Sequence, residues 1–477
     1  FPVVILLHAW WKRGAVSFRD ILRAAPFFLV SLLLGLVTIW FQHGRAIGAA
    51  VIPVGGPASR FAIAGMAIPF YLSKILLPIG LLPIYPRWQV DPPHIWQFIS
   101  WPCLAALAAA CWFNRRTWGR QILFAGGFFL IMILPVLGFI TISYMRISWV
   151  ADHFVYLPMI SIVALLAAAI TTAAKQLTGN ARHAATAATA TIVLLLAIAS
   201  FRDAAAWVDE GTLWQHTLRT NPDAWQAHNR LGVWKLNAGD LEAAFGHFQA
   251  STRLRPDLAE THNNLGVTLL KRGDNAGAER EFRAAMGLQK NAPLFLRNHA
   301  EALVALNRSP EAIKELTALT AASPGDTAAG QMLADLYANT SRHPEAEAEY
   351  QRILSMNPQA HSVRKNLASL LVSKSRFAAA SEQLGLLAQA MPNDPGLHNS
   401  LGVCLVKCGR LEEGIAELRR AIALAPDFKQ AKENLDAVRA PLNSPATTLP
   451  GVPGVPSLAK PPLPSTLAPT LAPALGR

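Results

Sequence analysis

Charged side chains that could take part in chemistry are rare in the first 201 residues. Three acidic residues occur there, and they are Asp20, Asp91 and Asp152. Arg87 precedes Asp91, Arg146 precedes Asp152, and Lys74 lies in an apolar segment upstream. A carboxylate can remove a proton from a hydroxyl group, and cationic side chains can bind phosphate oxygens. The pattern predicts that Arg87, Lys74 and Arg146 bind a phosphate group, with Asp152 as a supporting acid.

Long apolar runs surround these charges and determine where they can lie. Five runs of 18 to 25 residues have no charged side chain, and they cover residues 24–41, 95–114, 121–145, 154–174 and 184–201. A helix needs about 20 apolar residues to cross a bilayer core. Residues 1–201 are therefore predicted to form a multi-pass transmembrane domain. The alternative for the charges is that they only anchor such a domain at the membrane interface.

The net charge of +13 arises almost entirely in this membrane half. Residues 1–201 contain 14 Lys and Arg against 3 acidic residues, whereas residues 202–477 contain 29 against 27. Basic residues in the loops between spans mark the cytoplasmic side of a membrane. The charge therefore does not indicate a nucleic-acid partner, and the lipid bilayer is the predicted surrounding.

The basic loops also predict an orientation. The loops rich in Lys and Arg are residues 12–23, 115–120 and 175–182. If they are cytoplasmic, the extracytoplasmic loops are residues 42–60, 84–94 and 146–153. The last span then leads residues 202–477 to the same outer side. The predicted location is an inner (plasma) membrane, with the C-terminal half extracytoplasmic.

Segment 61–83 does not fit this scheme as a span, because both of its flanks would be outside. Three prolines interrupt it and Lys74 lies in its middle. Proline removes a helix hydrogen bond, so the segment is predicted to be a broken helix at the interface. The alternative is an ordinary kinked span whose lysine reaches the headgroups.

The first residues and the cysteines add two smaller expectations. The chain begins with a short apolar stretch at Phe1, so we expect the sequence to be truncated inside a transmembrane helix. Cys404 and Cys408 lie four residues apart with no further ligand nearby, so packed thiols are favoured over a metal site. No metal and no cofactor are predicted from the residues.

The C-terminal half contains a proline every 34 residues. The series is Pro222, Pro256, Pro324, Pro358, Pro392 and Pro426, with Lys290 in the one position that breaks it. Thirty-four residues is the length of one tetratricopeptide (TPR) helix hairpin, and small residues recur at fixed positions in both helices. Residues 223–426 are thus predicted to be six TPRs. The third repeat has His299 in place of leucine, and Lys290 marks the junction expected to flex.

Shorter segments complete the all-α organisation. Residues 202–222 are a predicted connector and cap helix, and residues 427–440 a capping helix. Residues 441–477 contain ten prolines and no acidic or aromatic residue, which predicts a disordered tail. The fold class is a polytopic transmembrane helix bundle, then a TPR solenoid, then this tail.

The array is predicted to hold a polypeptide. Asparagines occupy the position before the leucine of the first helix in several repeats, namely Asn264, Asn298, Asn366 and Asn434. An asparagine ladder could donate to and accept from a peptide backbone. The alternative is that asparagine is only tolerated at this surface. His228, His262 and His398 share another repeat position, which repetition explains better than metal binding does.

Two loop motifs carry a family resemblance. The chain contains Tyr85-Pro86-Arg87-Trp88 and, after Asp152, the residues Tyr156-Leu157-Pro158. Together with spans followed by TPRs, these motifs resemble the TMTC family and its bacterial relatives, which are membrane glycosyltransferases of the GT-C type. His153 stands where that family has arginine. The resemblance implies a catalytic acid on the first extracytoplasmic loop, which we expect to lie upstream of Phe1.

The resemblance implies a reaction and a donor. Proteins of this type resemble enzymes that move a sugar from a polyprenyl phosphate to Ser or Thr of an extracytoplasmic polypeptide. The expected function is such a transfer, with the TPRs binding the acceptor. The alternative is a membrane-anchored TPR scaffold with no activity of its own.

Overall fold

The structure is a computed structural model, and it describes residues 2–42, 44, 52 and 54–439. These residues form an all-α protein without β-strands among them. The chain divides into two compact units, residues 1–234 and 235–477. The predicted tail, residues 441–477, lies outside the described residues.

Within its described residues, the first unit contains eight α-helices and the start of a ninth. They are α1 (Pro2–Arg13), α2 (Phe18–Phe41), α3 (Pro57–Leu76), α4 (Ser100–Phe113), α5 (Gly119–Ile133), α6 (Met159–Gln176), α7 (Gly179–Ala204), α8 (Glu210–Thr220) and α9 (Trp225–Asn237). Short 3-10 turns precede α4 and follow α5 and α7, and two more lie in the loop between α5 and α6.

Five helical segments are long and apolar enough to cross a membrane. They are Phe18–Phe41, Ile95–Phe113, Gly119–Val136, Met159–Gln176 and Gly179–Trp207. Hardly any residue of α2, α6 and α7 is buried inside the unit, so their apolar side chains face outward. Outward-facing apolar helices of this length are what a lipid environment requires.

Two predicted spans differ from the helices that form. The run 121–145 stops being helical at Val136, because Pro135 lacks the backbone N–H and Gly138 adopts a φ of 101°. Its last residues are instead packed in the interior, where Met145 is 1% exposed. The run 154–174 becomes α-helical only at Met159, directly after Pro158.

Segment 61–83 is interrupted after Leu76 and not at Pro69, so its first proline does not break the helix as predicted. Helix α3 continues through Pro69 without interruption and ends at Leu76. The missing bond of a single proline is outweighed by packing, because Ile63, Ile68 and Tyr71 on this helix are almost completely buried. Only Pro78 and Pro83 fall in irregular backbone.

Irregular segments run along both sides of α3. Tyr85 contacts Phe70 near the C-terminal end of the helix, while Asp91 lies 3.5 Å from Ser59 at its N-terminal end. On the other side, Arg60 donates to the carbonyl of Gly138, and the Tyr71 hydroxyl accepts from the backbone of Ala151. Helix α3 and the loops 82–90 and 137–155 therefore share one core.

The second unit is a series of helix hairpins. Its helices after α9 are α10 (Leu241–Leu254), α11 (Ala259–Lys271), α12 (Asn275–Leu288), α13 (Pro293–Ala305), α14 (Ser309–Ala322), α15 (Thr327–Asn339), α16 (His343–Met356), α17 (His361–Ser373), α18 (Phe377–Ala390), α19 (Pro395–Lys407), α20 (Leu411–Leu424) and α21 (Lys429–Arg439). The periodic prolines follow the second helix of each hairpin, where they cannot disrupt it.

Small and large residues alternate in the hairpin core as their spacing predicts. Ala278, Ala312 and Ala346 are fully buried in the second helices. A Cβ added to Gly266 would lie 2.7 Å from the ring of Phe282, so glycine is needed for that close approach. This packing requires small residues at fixed positions, which is why the repeat can be recognised in the sequence.

The third repeat keeps the helix lengths of its neighbours despite two unusual residues. The connection from α12 to α13 has four residues, as does that from α10 to α11, but Lys290 replaces proline and Asn291 adopts a φ of 58°. His299 is buried and its Nδ1 lies 2.8 Å from a carboxylate oxygen of Glu315. Flexing at Lys290 stays a prediction.

Candidate functional site

A cavity of about 380 Å³ lies in the first unit at the C-terminal end of α7. Two loops and this helix end form its wall, and the residues that matter are Leu82, Asp152, Tyr156, Asp203 and Trp207. The cavity wall has two carboxylates, the rings of Tyr156 and Trp207, and the imidazole of His153, among apolar residues. Such a combination of a concave apolar surface and a few polar groups is typical of small-molecule sites.

The side chain of Asp152 is held by Tyr85, which lies 67 residues earlier in the chain. The Tyr85 hydroxyl lies 2.8 and 2.9 Å from the two carboxylate oxygens and donates its proton to them. It also accepts from the backbone N–H of Leu82 at 3.2 Å. The two loop motifs therefore meet at one hydrogen-bonded pair.

Burial governs the acid–base properties of this pair. Desolvation raises the pKa of Asp152, although the hydrogen bond from Tyr85 and the charge of Lys74 act in the opposite direction. Burial and the neighbouring carboxylate raise the pKa of Tyr85, so its hydroxyl stays protonated. A carboxylate with a raised pKa is a stronger base than an ordinary aspartate.

Lys74 borders this pair but is not a wall residue of the cavity. Its ammonium group donates to the carbonyl oxygens of Ile79 and Gly80 at 2.7 and 3.0 Å. It also lies 5.3 Å from the ring centre of Tyr85. Of its three N–H donors, two are thus used by the backbone. Its positive charge nevertheless acts on Asp152.

Asp203 is the residue that the sequence analysis missed. It lines the cavity, and its Oδ2 accepts from the backbone N–H of Leu81 at 3.1 Å. The predicted domain ended at residue 201, so Asp203 was counted with the charge-balanced half of the chain. An acidic residue directly after an apolar run is the sequence signal that could have identified it.

The two predicted phosphate-binding arginines lie elsewhere in the same loop layer. The Arg87 guanidinium donates to the carbonyl of Met145, the residue before Arg146, and lies 5.0 Å from the ring centre of Trp149. Arg87 is exposed and Arg146 half-buried. Neither forms the wall of the cavity beside Asp152. Phosphate binding by Arg87, Arg146 and Lys74 stays a prediction.

The other motif residues frame the loops. The Trp88 carbonyl accepts from the indole of Trp149 at 3.0 Å, and Tyr156 is an exposed wall residue of the cavity. Pro158 is buried directly before α6, whereas Pro86 is exposed.

The remaining acids in this half have structural partners. Asp20 caps the N-terminus of α2 and pairs with Arg13. Asp91 lies near Ser59, at the opposite end of α3 from the cavity. Asp152 and Asp203 are therefore the carboxylates that the described residues place in the cavity.

Three of the four predicted peptide-binding asparagines of the array are buried. Asn264, Asn298 and Asn434 are at most 3% exposed, and Asn366 is half-buried. The amides of the later repeats donate to the repeat before, Asn298 to Asn263 at 2.7 Å, Asn366 to Asp335 at 2.9 Å and Asn434 to Asn399 at 2.9 Å. In this conformation the same spacing joins successive repeats through these amides, and peptide binding by the asparagines stays a prediction.

The repeated histidines also have structural partners. In His262 one ring nitrogen lies 2.7 Å from a Glu281 carboxylate oxygen and the other 3.0 Å from the carbonyl oxygen of Pro256. His398 makes the same two contacts, with Glu417 and Pro392. Both partners of His262 accept hydrogen bonds, so the protonated ring of His262 fits best. Hydrogen bonding to Glu281 raises the pKa of His262.

The cysteines show no metal site in the part of the chain that the structure describes. Cys404 is buried, and desolvation raises the pKa of its thiol to about 12. Cys408 donates to the carbonyl of Leu405. Groups of three or more metal-ligating side chains are absent from the described residues.

Comparison with known proteins identifies the repeats. The tetratricopeptide repeat model matches residues 212–259, 235–293, 263–327, 297–361, 331–396 and 365–427. Residues 212–427 form a TPR array. A TPR array gives the chain a surface for binding peptides or partner proteins. A search of curated proteins found no match.

Solved TPR structures resemble the array alone. PilF from Pseudomonas aeruginosa is 21% identical, with a TM-score of 0.37, and the alignment covers 44% of this chain and 96% of PilF. A TPR protein from Parabacteroides merdae is 18% identical, with a TM-score of 0.37 and coverage of 46% and 86%. YrrB, described as a TPR protein with an unusual peptide-binding site, is 15% identical, with a TM-score of 0.28 and coverage of 46% and 95%.

Proposed function

We propose that the chain is an integral membrane glycosyltransferase that uses a polyprenyl-phosphate sugar. The sugar is transferred to Ser or Thr of an extracytoplasmic polypeptide, which the TPR array recruits. The observation that supports this proposal best is the hydrogen-bonded pair Asp152–Tyr85 in a cavity at the end of a membrane-length helix. The resemblance of both loop motifs to the GT-C type supports the reaction class.

The arrangement of the first unit supports the proposed orientation. The basic loop after α1 lies beside that before α5, since a Cβ on Gly14 would be 3.5 Å from the Arg120 guanidinium. Helix α5 runs from there to the core that contains Tyr85 and Trp149. Its 15 residues span about 22 Å. The two basic loops that meet at Gly14 and Arg120 therefore lie at the opposite end of α5 from this core, which supports the proposed orientation.

The position of α3 supports a surface location for this helix. Irregular backbone, residues 82–90 and 137–151, packs along much of its length. Backbone groups without regular hydrogen bonding are unfavourable in hydrocarbon unless protein or water surrounds them. A layer that contains α3 and both loops is therefore better placed at the membrane surface, where a lipid-linked donor presents its headgroup.

The cavity itself fits a hydroxyl-rich group better than a phosphate. Asp152 and Asp203 can accept hydrogen bonds from sugar hydroxyls, while the rings of Tyr156 and Trp207 can cover an apolar sugar face. Two carboxylates would repel a phosphate placed between them. The phosphate of the donor is accordingly assigned to the cationic side, at Lys74, and not to the cavity centre.

In the proposed step, the acceptor hydroxyl loses its proton to a carboxylate while its oxygen bonds to the sugar carbon. The bond from that carbon to the phosphate oxygen breaks, and polyprenyl phosphate leaves with the electron pair. Asp152, whose carboxylate is held by Tyr85 and whose pKa is raised by burial, is the supporting acid beside the catalytic acid that the family resemblance implies. Asp203 binds the sugar.

The test is transfer of labelled sugar from a polyprenyl phosphate to an acceptor peptide in membranes. Asp152→Asn and Asp203→Asn should each lower the rate at least 100-fold. Asp223→Asn is the matched control, since Asp223 is exposed between α8 and α9 and does not line the cavity. Wild-type rates in both cavity variants would refute the assignment.

A membrane-anchored TPR scaffold is the second candidate. It is favoured by the backbone hydrogen bonds of Lys74 and Arg87, which give these cations structural roles. The connector supports it also, because Asn221 donates to the Ile84 carbonyl and Leu218 packs nearby. A scaffold would retain its partner proteins in both aspartate variants and transfer no sugar.

A further inference from the structure

Basic residues are concentrated around the two loops that follow α1 and α4. These residues, which we call the cation cluster, are Lys12, Arg13, Arg19, Arg23, Arg115, Arg116 and Arg120. The same segments contain one acid, Asp20. An excess of one sign of charge on a surface attracts ligands of the opposite sign. The cation cluster is therefore a candidate site for an anion.

Stacked aromatic rings hold the two loops of the cation cluster together. The rings of Trp10 and Trp112 stack with their centres 6.0 Å apart and their planes 4° apart. The rings of Trp11 and Phe124 stack with their centres 4.7 Å apart. Such pairs contribute beyond the area that they bury, so they fix α1 against α4 and α5. The cations of both loops thus form one patch before any ligand binds.

Two of the arginines already have partners in the protein. Arg13 pairs with Asp20, which is 9% exposed and also accepts hydrogen bonds from Ser17. Arg115 donates to the carbonyl of Trp112 at 3.0 Å and lies over the ring of the same residue. The one acid of these segments is therefore used, and these two arginines have structural roles.

Arg116 and Arg120 are the arginines of the second loop that remain for a ligand. Arg116 is exposed, and Arg120 is half-buried beside Gly14. In the part of the chain that the structure describes, neither guanidinium has an ion pair or a hydrogen-bond acceptor. A guanidinium carries five N–H donors in a planar fork that matches two oxygens of a phosphate. Lys12, whose ammonium lies 4.5 Å from the ring centre of Trp11, adds charge on the α1 side.

The surroundings of these arginines favour a lipid as the source of the phosphate. Trp112, Phe113 and Trp118 lie beside them in the sequence and are 49%, 81% and 50% exposed. Helices α4 and α5 belong to two of the segments that are apolar and long enough to cross a membrane. Exposed aromatic rings at the ends of such helices lie at the level of the headgroups. A phospholipid supplies a phosphate for the arginines and acyl chains for the rings, whereas a free phosphate ion supplies only the first.

We propose that the loops after α1 and α4 bind the phosphate of an anionic phospholipid, with Arg116 and Arg120 as its direct contacts. A choline lipid carries its own ammonium group, which the cation cluster repels, so an anionic headgroup is preferred. The bound lipid joins α1 to α4 and α5 at the end of α5 opposite the α3 core. The proposal rests on the membrane location proposed above and not on sugar transfer.

The first test is native mass spectrometry of the full-length protein in neutral detergent with equal amounts of phosphatidylglycerol and phosphatidylcholine. Wild type should bind phosphatidylglycerol preferentially. Arg116→Gln with Arg120→Gln should weaken that binding roughly 30-fold, because each basic residue near an anionic headgroup contributes about fivefold. Arg116→Gln alone, at an exposed position where folding is not at risk, should weaken it about fivefold.

The control for the first test removes the same number of charges elsewhere. Lys175→Gln with Arg182→Gln changes two exposed basic residues at the junction of α6 and α7, which is predicted to lie on the same side of the membrane. This variant should bind phosphatidylglycerol as wild type does. An equal loss in both double variants would show attraction by net charge alone, and equal binding of the two lipids by wild type would show no selectivity. Either result would overturn the proposal.

The second test locates the lipid and identifies the source of the phosphate. The full-length protein is reconstituted in phosphatidylcholine vesicles that contain a trace of phosphatidylglycerol with a photoactivatable headgroup. Cross-links mapped by mass spectrometry should fall in residues 8–23 and 110–124, and unlabelled phosphatidylglycerol should suppress them. Inorganic phosphate at the same concentration should leave them unchanged. Suppression by inorganic phosphate would assign the site to a free ion, and cross-links spread evenly over all the spans would show that no site exists.

Discussion

The carboxyl group of Glu301 on α13 makes the stability of the array depend on pH. Burial raises the pKa of Glu301 to about 7, from 4.5, and the charge of Lys271 offsets only part of this effect. Between these two values the folded protein holds a proton that the unfolded chain has released. Stability therefore falls as pH rises through this range.

Glu301→Gln removes the titration with little change in shape. A difference of 2.5 pKa units corresponds to about 3.4 kcal/mol, and partial exposure of the side chain reduces it to about 2 kcal/mol. The variant should therefore be more stable than wild type at pH 8 by about 2 kcal/mol. At pH 4, where both states are protonated, the two proteins should be equally stable.

The assay is hydrogen exchange of α13 in the full-length protein in detergent, at pH values corrected for intrinsic exchange. Glu311→Gln is the control, because its exposed carboxyl pairs with Arg308, which lowers its pKa. Glu311→Gln should therefore lose protection from hydrogen exchange at neutral pH, whereas Glu301→Gln should gain it. If Glu301→Gln and wild type have the same protection at pH 8, Glu301 is not held in a desolvating position.

Three further perturbations test the array's internal contacts, each by thermal unfolding of the full-length protein. His262→Gln should lower the free energy of unfolding by about 1 kcal/mol at pH 5.5 and by little at pH 9. The raised pKa of His262 contributes stability that is present below about pH 6.5 and is lost at higher pH. Equal losses at both pH values would show that the bond to Glu281 does not require the protonated ring. Gly266→Val should cost about 1–3 kcal/mol by overlap with Phe282, and an unchanged midpoint would contradict that contact. Asn298→Ala should lower the free energy of unfolding by about 1–3 kcal/mol and leave peptide binding intact. Loss of peptide binding at unchanged stability would show that Asn298 contacts the peptide.

The array could be predicted in detail because its packing repeats. Each hairpin buries the same small positions, so Ala278 and Ala312 show the same register in the sequence and in the structure. The asparagines show the limit of this reasoning. The repeat spacing allows Asn298 to contact the previous repeat, and it equally allows Asn298 to lie on a surface that binds a peptide. Sequence alone could not tell which contact forms.

The candidate site was only partly predictable for a different reason. The apolar runs indicated the helices, and the motifs indicated Tyr85 and Asp152 separately. Their hydrogen bond joins residues 67 positions apart through irregular loops, which have no periodicity. Helix α3 likewise continues through Pro69 because α3 is buried, and the local sequence does not indicate that burial. Arg87 formed a backbone contact that its charge alone does not predict.

The central claim is that the cavity with Asp152 and Asp203 faces the extracytoplasmic surface and binds the lipid-linked donor. Ser200→Cys places a thiol in the cavity wall, and Arg182→Cys places one near the other end of α7. A membrane-impermeant maleimide should label the thiol at position 200 from outside intact cells. It should label the thiol at position 182 only after the membrane is opened. The unsubstituted protein is the control for labelling of native thiols. A polyprenyl-phosphate sugar should slow labelling at position 200 and leave position 182 unaffected. Labelling of position 200 only from the cytoplasmic side, or at the same rate with the donor present, would contradict the claim.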